Sequence, residues 1–173
     1  MRALRAALVA SAVAAALVAV GVAPARTSPA SHMATKPSLA TNLLAEVNRL
    51  RAAHGLVPLR ESRELDAAAG QHSFEMAVEG YFAHGAYARR LASYYPASRY
   101  RFWMVGENLV WGSPTLSAHE ALQSWLRSPE HRANLFRRVW REAGVSAVHA
   151  AAAPGAFQGL AVTVVTFDFG RRD

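Results

Sequence analysis

Cysteine is absent from all 173 positions of the chain. Disulfides, a thiol nucleophile and a thiolate metal site are thereby excluded, and an exported domain of this kind must hold together by packing alone. No Gly-x-Ser-x-Gly elbow, phosphate-binding loop or dinucleotide fingerprint occurs, which weighs against the common hydrolases and nucleotide enzymes. His119-Glu120 does not begin a zinc-peptidase helix, because Gln123 stands where the second histidine belongs. Lysine is nearly missing, so arginine supplies almost all of the positive charge behind a net +7. The basic runs are short (Arg137-Arg138, Arg171-Arg172), and no basic stripe interleaved with aromatics suggests a nucleic-acid groove. The surplus suits anionic partners such as cell-wall polymers or lipid headgroups; it also fits plain solubility combined with an arginine-over-lysine coding habit.

Residues 1–25 contain no acid, and they open with Arg2 and Arg5 before an apolar run from Ala6 to Ala23. Ala23-Pro24-Ala25 has the small-x-small form of a cleavage site, so 1–25 reads as a signal peptide. An uncleaved membrane anchor is the other reading of a run this long. No other segment is long and apolar enough to span a bilayer. Loss of Arg2 and Arg5 would leave a net +5. Residues 26–40 are rich in Ser, Pro, Thr and Ala and read as a flexible linker. Residues 41–173 have room for one domain.

Within that domain, Leu43, Leu44, Val47 and Leu50 follow helical spacing over 41–54, and Gly55 ends the run. A second helix is expected over 61–79, with Leu65, Ala69, His72 and Met76 on one face and Gly80 as its stop. A short irregular helix is expected within 85–95. Residues 100–111 read as a loop and a short strand, broken by Gly106. A third long helix spans 117–127, and Ser128-Pro129 pairs an N-cap with a proline at the first helical position of a new short helix. Residues 142–150 and 160–169 are strand-like, the second apolar on both faces, as expected of a strand covered above and below. Helices first and strands last suit an α+β fold: a three-layer α-β-α sandwich around a small antiparallel sheet.

Three short segments carry chemical content. His84 follows the second helix, where an imidazole often serves only the helix dipole. Glu107 lies among Phe102, Trp103, Val105, Leu109 and Val110, and a carboxylate there is costly unless paired or bound. His131 falls in the first turn of the short helix, where the dipole favours the neutral ring. Two imidazoles and a carboxylate can hold a divalent metal or move protons. His72 reads as a core histidine.

In their order and spacing these segments resemble the CAP superfamily of cysteine-rich secretory, antigen-five and pathogenesis-related proteins (SCP domains), and its cysteine-free bacterial branch in particular. The likeness runs from Leu43 to Gly170 through Val47-Asn48-x-x-Arg51, Ala69-x-x-His72-x-x-x-Met76, Phe82-x-His84, Gly106-Glu107-Asn108-Leu109, Trp125-x-x-Ser128-Pro129-x-His131-Arg132-x-Asn134-Leu135 and Phe167-Asp168-Phe169-Gly170. The resemblance implies an α-β-α sandwich, secretion, and a cleft tetrad of two His and two Glu able to take a divalent cation such as zinc or magnesium. His84, Glu107 and His131 match three tetrad positions. The fourth falls on Ser128, so the tetrad is incomplete, with Glu120 and Glu130 nearby as substitutes. Asn108, Ser128, Glu130 and Glu120 are the cleft-lining candidates.

The family's activities range over sterol and lipid binding, protein interaction and disputed proteolysis, and a fold alone does not select among them. The leading expectation is a secreted or envelope-associated monomer that binds a lipid, cell-wall or protein ligand without catalysis. It would take no nucleic acid and meet the membrane only through the signal segment before cleavage. The alternative is an extracellular hydrolase with Glu107 as general base. A third reading makes the trio a structural tie.

Overall fold

In the computed structural model, residues 32–98 and 100–173 are described. The proposed signal peptide lies outside them. Helices are α1 (Pro37–Ala53), α2 (Arg63–Glu79), α3 (Tyr87–Tyr94), α4 (Ala118–Arg127) and α5 (Pro129–Phe136); strands are β1 (Met33–Thr35), β2 (Arg60–Glu61), β3 (Trp103–Gly112), β4 (Glu142–Ala150) and β5 (Val162–Arg172). The sheet runs β1-β4-β5-β3, antiparallel throughout, and β2 adds a short parallel pairing to the start of β4.

The helix ends follow local chemistry. The Ser62 hydroxyl accepts from the Leu65 N–H at the start of α2, and Gly80 closes that helix in the left-handed conformation. Ser117 and Glu120 form a reciprocal capping box on α4. Three expectations need correction. The stretch 26–40 is not linker throughout: β1 pairs with β4, and α1 begins at Pro37, a residue already set for a first helical turn. β3 is a full ten-residue strand. Gly106 does not break it, because the Trp140 ring lies over that position, 2.8 Å from where a Cβ would stand. β5 runs on to Arg172, paired with β3 to its end.

Side chains alternate across the sheet. Val165, Phe167 and Phe169 of β5 pack with Leu43, Val47, Leu122, Trp125 and Leu135 of α1, α4 and α5. Val162 and Val164 pack with Met76 and Ala77 of α2. Leu65, Ala68, Leu91, Tyr95 and Val105 join α2 and α3 over the same face. The result is the expected three-layer sandwich with β3 at one edge. That edge is blunted against strand addition: Trp125 Nε1 donates to the Leu109 carbonyl at 2.9 Å, and Asn134 Nδ2 to the Glu107 carbonyl at 3.2 Å.

Arg51 sets the position of α5. Its buried guanidinium donates to the carbonyls of Leu135 (2.7 Å), Arg137 (3.3 Å) and Val57 (3.1 Å), gathering a helix end and two loops. Asn108 works from the sheet side, donating to the His131 carbonyl at 3.0 Å and accepting from Asn134 at 3.0 Å.

Candidate functional site

Glu107 lies mid-way along edge strand β3 with its side chain fully buried on the α2/α3 face. Its Oε1 accepts from His84 Nδ1 at 2.8 Å. Its Oε2 accepts from Arg90 Nη2 and sits 3.7 Å from His72 Nε2. Directly across the ladder is Asp168 of β5, also fully buried. Arg90 bridges the two: Nη1 donates to Asp168 Oδ2 at 3.2 Å and Nη2 to Oδ1 at 3.3 Å, while Nη1 also holds the Ala68 carbonyl at 2.7 Å. One guanidinium therefore faces two buried carboxyl groups. Burial, with Glu107 beside it, pushes the Asp168 carboxyl up to about 8, against the pull of Arg90. At neutral pH Asp168 keeps its proton.

His84 stands in the turn between α2 and α3. Its hydrogen bond to Glu107 raises its pKa, and partial burial works against that rise. His131, on α5, reaches the same rim from the opposite helical layer, and the two rings are 6.1 Å apart centre to centre. Its Nδ1 is 2.9 Å from the Ser128 hydroxyl. Its pKa is lowered, as the sequence suggests, but by burial first and the His84 charge second. His72 is buried as expected. Its Nε2 faces the Ala83 carbonyl at 3.2 Å, its Nδ1 has no partner among the described residues, and burial lowers its pKa while Glu107 opposes.

His84, Glu107, Glu130, His131, Asn134 and Arg137 line a cleft of ≈ 270 Å³. His131 and Ser128 also border an apolar hollow of ≈ 280 Å³ walled by Phe82, Trp111 and Trp125. The sequence-derived trio is thus brought to one rim, but not as three free ligands. Among the described residues no group of three or more His, Asp or Glu is disposed to hold a metal ion. The reason is local: both Glu107 oxygens are already engaged, and His131 turns to Ser128. The ring Nε2 atoms of His84 and His131 remain without a hydrogen bond to described residues.

The other candidates divide. Glu130 and Ser128 border the cavities. Asn108 is wholly buried and acts as a tie between β3 and α5. Glu120 does not replace the missing tetrad acid, because it is consumed in the capping box of α4. Arg90 and Asp168 escaped the sequence reading. Asp168 did leave a signal, an acid between Phe167 and Phe169 in an apolar strand, which demands a buried partner.

The family model for CAP, the cysteine-rich secretory protein family, matches residues 44–169. The chain belongs to the CAP family. Solved structures with the same fold include an extracellular SCP-domain protein from Bacillus anthracis (23% identity, TM-score 0.62, 79% of this chain and 41% of that one). An outer surface protein from Borrelia burgdorferi (19%, 0.61, 77% and 92%) and a cysteine-rich secretory protein from Staphylococcus aureus (18%, 0.55, 79% and 39%) are also similar. This CAP chain spans less than half the length of the Bacillus and Staphylococcus proteins. Comparison with curated protein sequences gives no match.

Proposed function

We propose that this CAP protein is exported and acts as a non-catalytic binding module, with the His84–His131 cleft and the adjoining Phe82–Trp111 hollow as its recognition surface for a lipid, cell-wall or protein ligand. Export is supported by the leader-like residues 1–25 and by the extracellular and outer-surface descriptions of its structural neighbours. The observation that carries the non-catalytic reading is the state of Glu107. A general base needs a carboxylate that can reach a water or substrate proton. This one is fully buried and held by Arg90 and His84. Ser128 and His131 form a hydroxyl–imidazole pair, but no described carboxylate orients the far nitrogen of that ring, as nucleophile activation requires.

A divalent cation entering the cleft meets the two Nε2 atoms as free imidazole donors, with the Glu130 carboxylate also on the cleft wall. Two imidazoles suit zinc, weakly; magnesium prefers oxygen ligands and finds none free on Glu107. Glu107 fits the role of a partner that orients His84 rather than that of a ligand.

The test is to assay the purified chain against peptide, ester and peptidoglycan substrates, and to titrate envelope lipids and muropeptides against it. We expect no turnover above that of Glu107→Gln, and saturable binding of one ligand class that His131→Ala with Trp111→Ala weakens. Turnover abolished by Glu107→Gln in a folded protein would overturn the reading.

A further inference from the structure

One end of the sheet gathers more arginines than acids. There the N–H groups of Arg101 and Phe102 donate to the Asp173 carbonyl at 2.7 and 3.2 Å, and that of Arg141 to Gly170 at 3.1 Å. Met104 pairs with Arg171 across the ladder. Arg137 reaches back to Met104 Sδ at 4.0 Å, and the Arg171 guanidinium lies 5.8 Å from the centre of the Phe102 ring. These contacts bring Arg101, Arg137, Arg141 and Arg171 to one end of the sheet, with Arg138 next to Arg137 in the same turn. Arg171 is neutralised by Asp173. Glu64 and Glu142, the other carboxylates nearby, are engaged by Arg172. Arg101, Arg137 and Arg138 make no ion pair with any described carboxylate, whereas Arg141 spends its Nη1 on the carbonyls of Arg138, Val139 and Trp140. Beneath them the buried Arg51 adds a further positive charge.

Aromatic rings border this patch. Phe102 lies against Arg171 and Tyr100 against Arg172, and they leave 39% and 40% of their surfaces exposed. Guanidinium groups bind phosphates with paired hydrogen bonds, and exposed rings beside them favour the zone between headgroups and acyl chains. A fully hydrated polyanion would use the arginines and leave both rings in water; a bilayer surface uses both.

We propose that this face seats the folded domain on an anionic phospholipid surface, with Arg101, Arg137 and Arg138 on headgroup phosphates and Tyr100 and Phe102 in the interfacial layer. The docking face meets the cleft at Arg137, which lines both. Such docking goes beyond the expectation that only the leader segment meets a membrane.

Co-sedimentation of the full chain with vesicles tests this, using phosphatidylcholine with and without phosphatidylglycerol. Arg101→Gln/Arg138→Gln is the informative variant, since neither side chain has a partner whose loss would unsettle the fold. Lys36→Gln/Arg127→Gln removes the same charge elsewhere. The apolar run Ala6–Ala23 acts equally in both, so the contrast between them isolates the patch. Because each basic residue near an anionic surface adds to binding, the patch variant should bind anionic vesicles about tenfold or more weakly, and the control should match wild type. The excess over neutral vesicles should vanish in about 1 M salt, where screening reaches about 3 Å. Phe102→Ser should weaken binding without changing the salt dependence. Equal binding by patch and control variants would overturn the proposal. So would a patch-dependent affinity for soluble polyphosphate with none for vesicles, which would assign the face to a polymer instead.

Discussion

Glu107 and Asp168 stand directly opposite each other on β3 and β5, both fully buried, and the single guanidinium of Arg90 serves both carboxyl groups. The cluster ties the edge strand, the central strand and α3 together behind the cleft. Removing its only permanent cation leaves two buried carboxyl groups without the guanidinium that bridges them, and Glu107 with His84 as its remaining hydrogen-bond partner. We expect Arg90→Leu to lose about 3–5 kcal/mol, the cost of breaking a buried pair from one side. Arg90→Lys should recover only part of this, because an ammonium cannot span two carboxyl groups and the Ala68 carbonyl together. Urea unfolding at neutral pH measures both, and a loss within the range of ordinary surface changes for Arg90→Leu would show that the cluster is not a structural tie.

Asp168 makes stability depend on pH with a definite sign. Its folded pKa, about 8, lies above the ordinary carboxylate value. Its contribution is therefore complete below that ordinary value and declines as pH rises through about 8, since the folded state binds the extra proton. Asn mimics the protonated acid and cannot ionise. Between about pH 5 and 8, Asp168→Asn should thus gain stability relative to wild type. Denaturant midpoints across that range decide it; parallel curves would mean that Asp168 is already ionised in the fold.

His84 supplies an independent readout of Glu107. The hydrogen bond between them is the main cause of its raised pKa, so Glu107→Gln should let His84 titrate lower by NMR. A raised histidine pKa stabilises the fold below its unfolded pKa, and that stabilisation is lost as pH rises through the folded value; in Glu107→Gln this component should disappear. An unmoved His84 titration would place the cause elsewhere.

Zinc binding is expected to be weak and to involve His84 and His131. Calorimetric heat should vanish in His84→Ala/His131→Ala, and Glu107→Gln should weaken the site by about 10- to 100-fold, as loss of a ligand's orienting partner does elsewhere. Magnesium should give no heat. Equal zinc heat from wild type and the double histidine variant would remove the cleft as the site.

Much of this architecture can be read along the chain because its signals are local. Ser62 and Gly80 bracket α2, Ser117 with Glu120 opens α4, and Ser128-Pro129 opens α5. The sequence also brings His84, Glu107 and His131 to one rim. It does not reveal which face of β3 Glu107 takes, because residues on both sides of it are apolar. Once that face is known, Arg90 and Asp168 follow as the groups able to offset a buried charge. β1 was hidden for a different reason: Met33-Ala34-Thr35 is too short for a period, and it becomes a strand only because β4 offers it an open edge.

Gly144 shows how closely the site's scaffold is packed. It lies on β4 opposite Asp168, and a Cβ there would fall 2.0 Å from the Leu65 backbone carbon and 2.2 Å from the Asp66 nitrogen. Neither is the end of a flexible side chain, so α2 itself would have to move. Next to it, Asp66 accepts from the Val145 N–H at 2.8 Å, and Leu65 closes the pocket around Tyr95 and Val105. Gly144→Ala should therefore cost about 3 kcal/mol, at the upper end of overpacking, although alanine suits a strand no worse than glycine. Because α2 carries His72 and leads into the turn that holds His84, the same change should also shift the NMR signals of both imidazoles. Unfolding midpoints close to wild type, with both signals unmoved, would mean that the helix lies farther from the sheet than these distances require.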